Sequence, residues 1–203
     1  MIIIAQYHGV SKLSRLIQWQ QRSPISHSAI ILGDGARVAC AAGRMPEWLQ
    51  SCTLYEAWGT VVPPKGRVYR RKGISKGHTP GTRIDLYAVD CPIGQYDEVR
   101  LFLDSEVGSR YDFRALFSFI TRRDRHRDGA WICSELAFAA ALLYGVRLLD
   151  RIEPHAVSPG LLDLSPMLIP FGTTWSAPVP VFIPAISSQS MRGDSARPTR
   201  TSP

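Results

Sequence analysis

Cysteine is scarce and unpatterned in this sequence. Four are present among 203 residues: Cys40, Cys52, Cys91 and Cys133. No two form a CxxC pair and no spacing matches a zinc site, so neither a metal nor a disulfide framework is indicated. That usage fits a reducing compartment during synthesis. Long apolar runs are missing too. No window approaches the roughly 18 residues of a membrane span. The apolar start Met1-Ile2-Ile3-Ile4-Ala5 is too short for a secretory leader and has no basic segment before it. It runs at once into Gln6-Tyr7-His8-Gly9, which suits an N-terminal strand and cytoplasmic synthesis without a cleavable signal. Release by another route, or association with a virion, stays compatible with that reading. No internal repeat is present.

What is present is ordinary for a globular domain: 45% hydrophobic and 20% charged residues, in a chain long enough for one sizeable core. Residues 187–203 are almost devoid of apolar side chains and are expected to form a disordered basic tail after a domain spanning 1–186. Basic residues outnumber acidic ones by 24 to 17. They cluster at Arg67, Arg70, Arg71, Lys72 and Lys76, at Arg122, Arg123, Arg125 and Arg127, and at Arg192, Arg197 and Arg200. No aromatic interleaving or nucleic-acid motif accompanies the clusters, which disfavours nucleic acid as the partner. Attraction to an acidic surface, such as a bacterial wall or membrane, explains them as well.

The hydrophobic pattern predicts strands at 2–7, 26–32 and 53–58, with a return strand at 37–42 after a turn at 33–35. Residues 43–52 read as a loop with a short helical turn. Short strands are expected at 61–62 and 67–70, and a period-two strand at 83–89. Helices are expected over 11–22, with Ser11 as cap and Leu13, Leu16, Ile17 and Gln20 on one face. Further helices fall at 95–107, 111–122 and 131–144. Ser158-Pro159 opens a short helix through Leu164. Strands mixed with one early helix, then several helices, suggest an α+β fold with an antiparallel sheet and helices on one side.

One segment stands out chemically. Ile132-Cys133-Ser134-Glu135 follows the helix-breaking Asp128-Gly129 and opens an apolar run ending at Gly145. Cys133 therefore falls in the first turn of a helix, where unpaired N–H groups and the positive end of the dipole favour thiolate over thiol. A plain core cysteine is the competing reading, because Cys133, Leu136, Ala137, Ala140, Leu143 and Tyr144 share a helical face. Among five histidines, His27 lies on a regular element beside a buried run, as a positioned base should. His8, His78, His126 and His155 fall in expected loops, where solvent is the default partner. Glu56 stands mid-strand among Leu54, Tyr55, Ala57 and Trp58. It is either an exposed-face residue or a buried group able to orient an imidazole.

The order Ser26-His27, Glu56-Ala57, Gly108-Ser109-Arg110-Tyr111-Asp112, then Cys133-Ser134-Glu135 resembles the permuted branch of the papain-like NlpC-type hydrolases. That branch contains the YiiX-like and lecithin:retinol acyltransferase-like proteins. Tyr7-His8-Gly9 and Ser14-Arg15-Leu16-Ile17, and the downstream Ser158-Pro159, are also similar to it. The resemblance spans residues 2–170 and implies a circularly permuted papain-like fold with the nucleophile at a helix N-terminus. It implies a cysteine hydrolase in which Cys133 attacks an acyl carbon, His27 is the base and Glu56 orients it. No cofactor and no metal are implied. In many members of the branch the third polar residue follows the histidine closely, a position that falls here at Ala39 or Cys40. Neither can orient an imidazole, so Glu56 takes that role. The implied substrate is a peptide amide, first a bacterial cell-wall peptide. A lipid acyl group is the alternative, and so is a non-catalytic phage or secretion component on the same fold. Oligomeric state is left open.

Overall fold

A computed structural model of the chain describes residues 2–32, 49, 51–59, 66–89, 95–115, 129–176 and 182–184. The strands are β1 (Ile2–His8), β2 (His27–Leu32), β3 (Thr53–Trp58), β4 (Arg67–Lys72), β5 (Thr82–Val89), β6 (Arg110–Tyr111), β7 (Ala130–Trp131), β8 (Leu168–Ser176) and β9 (Phe182–Pro184). The helices are α1 (Lys12–Gln21), α2 (Tyr96–Glu106), α3 (Cys133–Leu143) and the single turn α4 (Pro159–Leu162). The expected turn at 33–35, the strands at 37–42 and 61–62, most of 43–52, the end of the helix beyond 115 and the tail at 187–203 lie outside the described residues.

Among the described residues the strands form one sheet in the order β7-β6-β4-β3-β2-β1-β5-β8-β9. Pairing is antiparallel throughout except between β6 and β7. β1 and β2 pair antiparallel although the connection between them carries α1. The chain is therefore α+β, as its element order suggests.

β1 lies inside this sheet, and both of its faces are covered. Ile2 and Ile4 point into one apolar cluster, together with Val99 and Leu103 of α2, Leu136 and Phe138 of α3, and Leu162 of α4. Ile3, Ala5 and Tyr7 point to the other, with Ile74, Ile84 and Phe171. Burial on both faces is why residues 2–5 read as an unbroken apolar run instead of an alternation. α3 lies against β2 and β3. Its mainly Ala and Leu sequence suits a helix buried on almost every side, although Leu143 is exposed.

Two features go beyond the sequence pattern. The nine-residue strand β8 was not legible, because Pro170 and Gly172 interrupt its pattern. The sheet absorbs the irregularity in a bulge: Leu86 pairs with Gly172 and Tyr87 with Pro170, so Phe171 is the extra residue. In α1, Ser11 caps the helix as expected, its Oγ accepting from the Ser14 N–H at 3.1 Å. Of the face Leu13-Leu16-Ile17-Gln20, only Ile17 is buried. Periodicity marks a stripe on a helix but not what covers it.

Candidate active site

Strand register and a single helix start bring the candidate residues together. His27 opens β2 opposite Tyr7 of β1. The pairing of Ile31 with Leu54, continued along the strands, sets Glu56 beside Ala29, on the same face as His27. The result is a contact of 2.8 Å between His27 Nε2 and Glu56 Oε2. The Glu56 side chain is completely buried. Its second oxygen, Oε1, lies 3.0 Å from Arg71 Nε, an ion pair supplied by β4 and angled away from ideal hydrogen-bond geometry. Ser26 Oγ fastens the entry to β2, accepting from the Gly9 N–H and donating to the Tyr7 carbonyl.

Cys133 comes near the His27 ring from much further along the chain. Gly129 turns at φ 70°, a left-handed conformation that glycine adopts without a steric penalty, and β7 then leads into α3. Ile132 occupies the cap position but has no side-chain acceptor. Glu135 compensates by reaching back to accept from the Ile132 N–H at 3.3 Å. Ser134 Oγ donates to the Val157 carbonyl at 2.5 Å. Both residues therefore shape the helix start. Asp112 caps its own segment, accepting from the N–H groups of Arg114 and Ala115, while Tyr111 is buried near the cysteine. Burial, together with the charge of Asp112, raises the Glu135 carboxyl to about 7 against the opposing pull of the Ile132 N–H.

The electrostatics centre on His27. Burial alone would lower its pKa, but the charge and hydrogen bond of Cys133, followed by those of Glu56, raise it to about 10. With Nε2 held by Glu56, Nδ1 is the ring nitrogen that Glu56 does not engage. Burial likewise works against the charge on Glu56, yet the hydrogen bond and charge of His27, with the His78 ring close by, hold it down at about 2. The ring is thus held between an acid that can give it a proton and a carboxylate that stabilises the protonated form.

His78 was missed. Its sequence neighbourhood, Lys76-Gly77-His78-Thr79-Pro80, reads as a solvated loop, yet its side chain is only 5% exposed. Gly77 turns at φ 87°, a left-handed conformation that glycine adopts without a steric penalty, and passes close to the Arg71 guanidinium as the loop turns inward. The His78 ring stacks on Tyr7 at 3.9 Å and meets Trp58 edge-on at 4.8 Å. Its Nε2 lies 3.6 Å from Glu56 Oε2, too long for a full hydrogen bond. Burial lowers its pKa, so it sits beside the pair as a neutral ring. His8 also differs from expectation, ending β1 with Nε2 2.7 Å from Asp85 Oδ2. Beside His27 and His78 a cavity of about 160 Å³ opens, walled by Val10, Leu13, Ile17, Trp58, Tyr111 and Phe113.

The ligand-type atoms of His27, Glu56 and His78 lie within 4.8 Å of one another. A divalent cation placed among them would have the permanently charged Arg71 guanidinium 3.0 Å from its carboxylate ligand. That repulsion makes the donor set a poor metal cage, and the residues fit a hydrogen-bonded network around an imidazole better.

No family model and no curated protein matches this chain. The fold is that of a YiiX-like α+β protein. One similar solved structure is that of the metalloprotein YiiX of Escherichia coli O157:H7, a DUF1105 protein, with a TM-score of 0.52 and 17% identity over 82% of this chain and 92% of that one. At that identity the likeness shows the fold alone.

Proposed function

We propose that this protein is a cysteine-dependent acyl hydrolase, with Cys133 as nucleophile, His27 as general base and acid, and Glu56 as the group that orients His27. The observation that carries the reading is the histidine itself: one nitrogen lies 2.8 Å from a buried carboxylate, and the thiol at a helix start is near enough to the ring to raise its pKa. A core cysteine needs neither group. In the proposed cycle His27 takes the Cys133 proton as sulfur attacks the carbonyl carbon. Backbone N–H groups of the first turn of α3, Cys133's own among them, face the developing oxyanion. His27 then protonates the leaving group, the acyl-enzyme forms, and water, activated by the same ring, releases the acid. The separation of His27 from Glu56 that a decayed, non-catalytic site would have favoured is not found.

The substrate first suggested is a cell-wall peptide amide, with the net charge of +7 drawing the protein to an anionic wall. A lipid acyl group is the second reading, and the apolar cavity wall of Val10, Leu13, Ile17 and Phe113 favours it. Muropeptides and acyl-lipids offered side by side decide between them. Turnover of either by the native protein, lost in Cys133→Ala and His27→Ala while circular dichroism shows both variants folded, supports the hydrolase. Turnover that survives Cys133→Ala overturns it.

A further inference from the structure

The outward face of α1 is apolar and exposed, and only its edge at Val10 and Leu13 meets the cavity. Leu13 is 46% exposed, Leu16 50% and Trp19 77%, with Val10 before them at 39%. Leu13, Leu16 and Trp19 recur at i, i+3 and i+6, which places them within about 120° of arc on a helix advancing 100° per residue. Lys12 falls inside that arc and Arg15 at its margin, and both are exposed. Arg22, also exposed, ends the helix. No acidic residue occurs anywhere in residues 1–33. Only Ile17 is buried, and Gln18 ties the helix down by donating to the carbonyls of Gly9 and Pro24.

We propose that α1 is a docking surface for an anionic lipid bilayer. Large apolar side chains flanked by cations, with an exposed tryptophan at the margin, are what an interfacial helix presents. The leucines and the indole enter the boundary between headgroups and acyl chains, while Lys12, Arg15 and Arg22 reach back to lipid phosphates. An acidic protein groove would match the charge. It would not call for two exposed leucines and an indole beside those cations, a mixture that the headgroup boundary of an anionic bilayer satisfies. Val10 and Leu13 belong to the stripe and also to the cavity wall beside His27. Docking by this face therefore turns the cavity mouth toward the bilayer. The surface stands independently of the hydrolase reading, since binding needs no turnover.

Full-length protein is mixed with sucrose-loaded vesicles of phosphatidylcholine, with or without phosphatidylglycerol, and sedimented. Leu16→Ser and Trp19→Ser are compared with the native chain, neither residue lining the cavity. Alkylation of Cys133 serves as the check that each variant is folded. The expected result is binding to anionic vesicles that weakens with salt and falls about tenfold in each variant, in proportion to one lost apolar side chain, with alkylation unchanged. Absence of vesicle binding overturns the proposal. So does binding unaffected by both substitutions, as a basic tail alone would give. Binding to isolated wall sacculi in place of vesicles, or substitutions that change only self-association, would also overturn it, assigning the face to the wall or to a second copy.

Discussion

Glu56 Oε2 lies 2.8 Å from His27 Nε2 across the pairing of β2 with β3, and no part of the Glu56 side chain reaches solvent. A carboxylate is retained in such a place only while its charge is matched. Here His27 and Arg71 match it from two strands, with His78 close by.

Glu56→Gln keeps the shape and removes the charge. Arg71 then loses its buried partner and the imidazolium its stabiliser. The variant is expected to lose ~3–5 kcal/mol of stability, as broken buried pairs do. Any hydrolysis should fall by about a hundredfold or more. Urea melts and steady-state rates measure both effects. A variant with native activity would remove Glu56 from the proposed triad.

The two thiols among the described residues should react very differently. Burial raises Cys52 to about 11, only partly offset by nearby backbone N–H groups, and its Sγ donates to the Leu49 carbonyl. Cys133 has the His27 ring beside it. Iodoacetamide near neutral pH should modify Cys133 first, and His27→Ala should slow that reaction while leaving Cys52 as slow as before. Peptide mapping after timed quenching reads the order, and equal rates at Cys133 and Cys52 would count against an activated thiol.

Stability should fall on both sides of a plateau. Glu56 has its pKa lowered from 4.5 to about 2, so its contribution is complete above 4.5 and is lost as pH falls toward 2. His27 has its pKa raised from 6.5 to about 10, so its contribution is complete below 6.5 and fades as pH rises toward 10. Cys133→Ala removes a leading cause of the second shift and should flatten the alkaline limb alone. Denaturant midpoints across pH 3 to 10 test this, the limits following from those two pKa ranges.

His78→Phe preserves an aromatic ring against Tyr7 and should leave the fold intact, whereas His78→Ala opens a void and should cost about 2–3 kcal/mol. Because Arg71 crowds Glu56, chelation of divalent ions should change neither thiol reactivity nor melting of the native protein. Tight, stoichiometric zinc binding that His78→Phe abolishes would show that the cluster holds a metal after all.

Much of the fold was legible. Residues 53–58 form a strand with the bounds the pattern suggested, and the helices near 12–21, 96–106 and 133–143 fall within a few residues of expectation. These segments carry strong periodicity or a clear start signal. β8 was not legible, because Pro170 and Gly172 hide a strand that its neighbour β5 supports through a bulge. His78 was not legible either, because burial of a loop side chain depends on the path of Gly77 past Arg71, which no local pattern encodes.

By itself, the sequence determined the element types, the helix start that presents Cys133, and the strand that carries His27. Cap residues, glycines and apolar spacing act over a few neighbours, so they can be read locally. Only the tertiary structure decided that β3 lies next to β2, that Arg71 closes the far side of Glu56, and that Leu16 and Trp19 face outward. Those outcomes rest on which surfaces exclude water from one another. That is a property of residues distant in sequence, and it is resolved only when the whole chain packs.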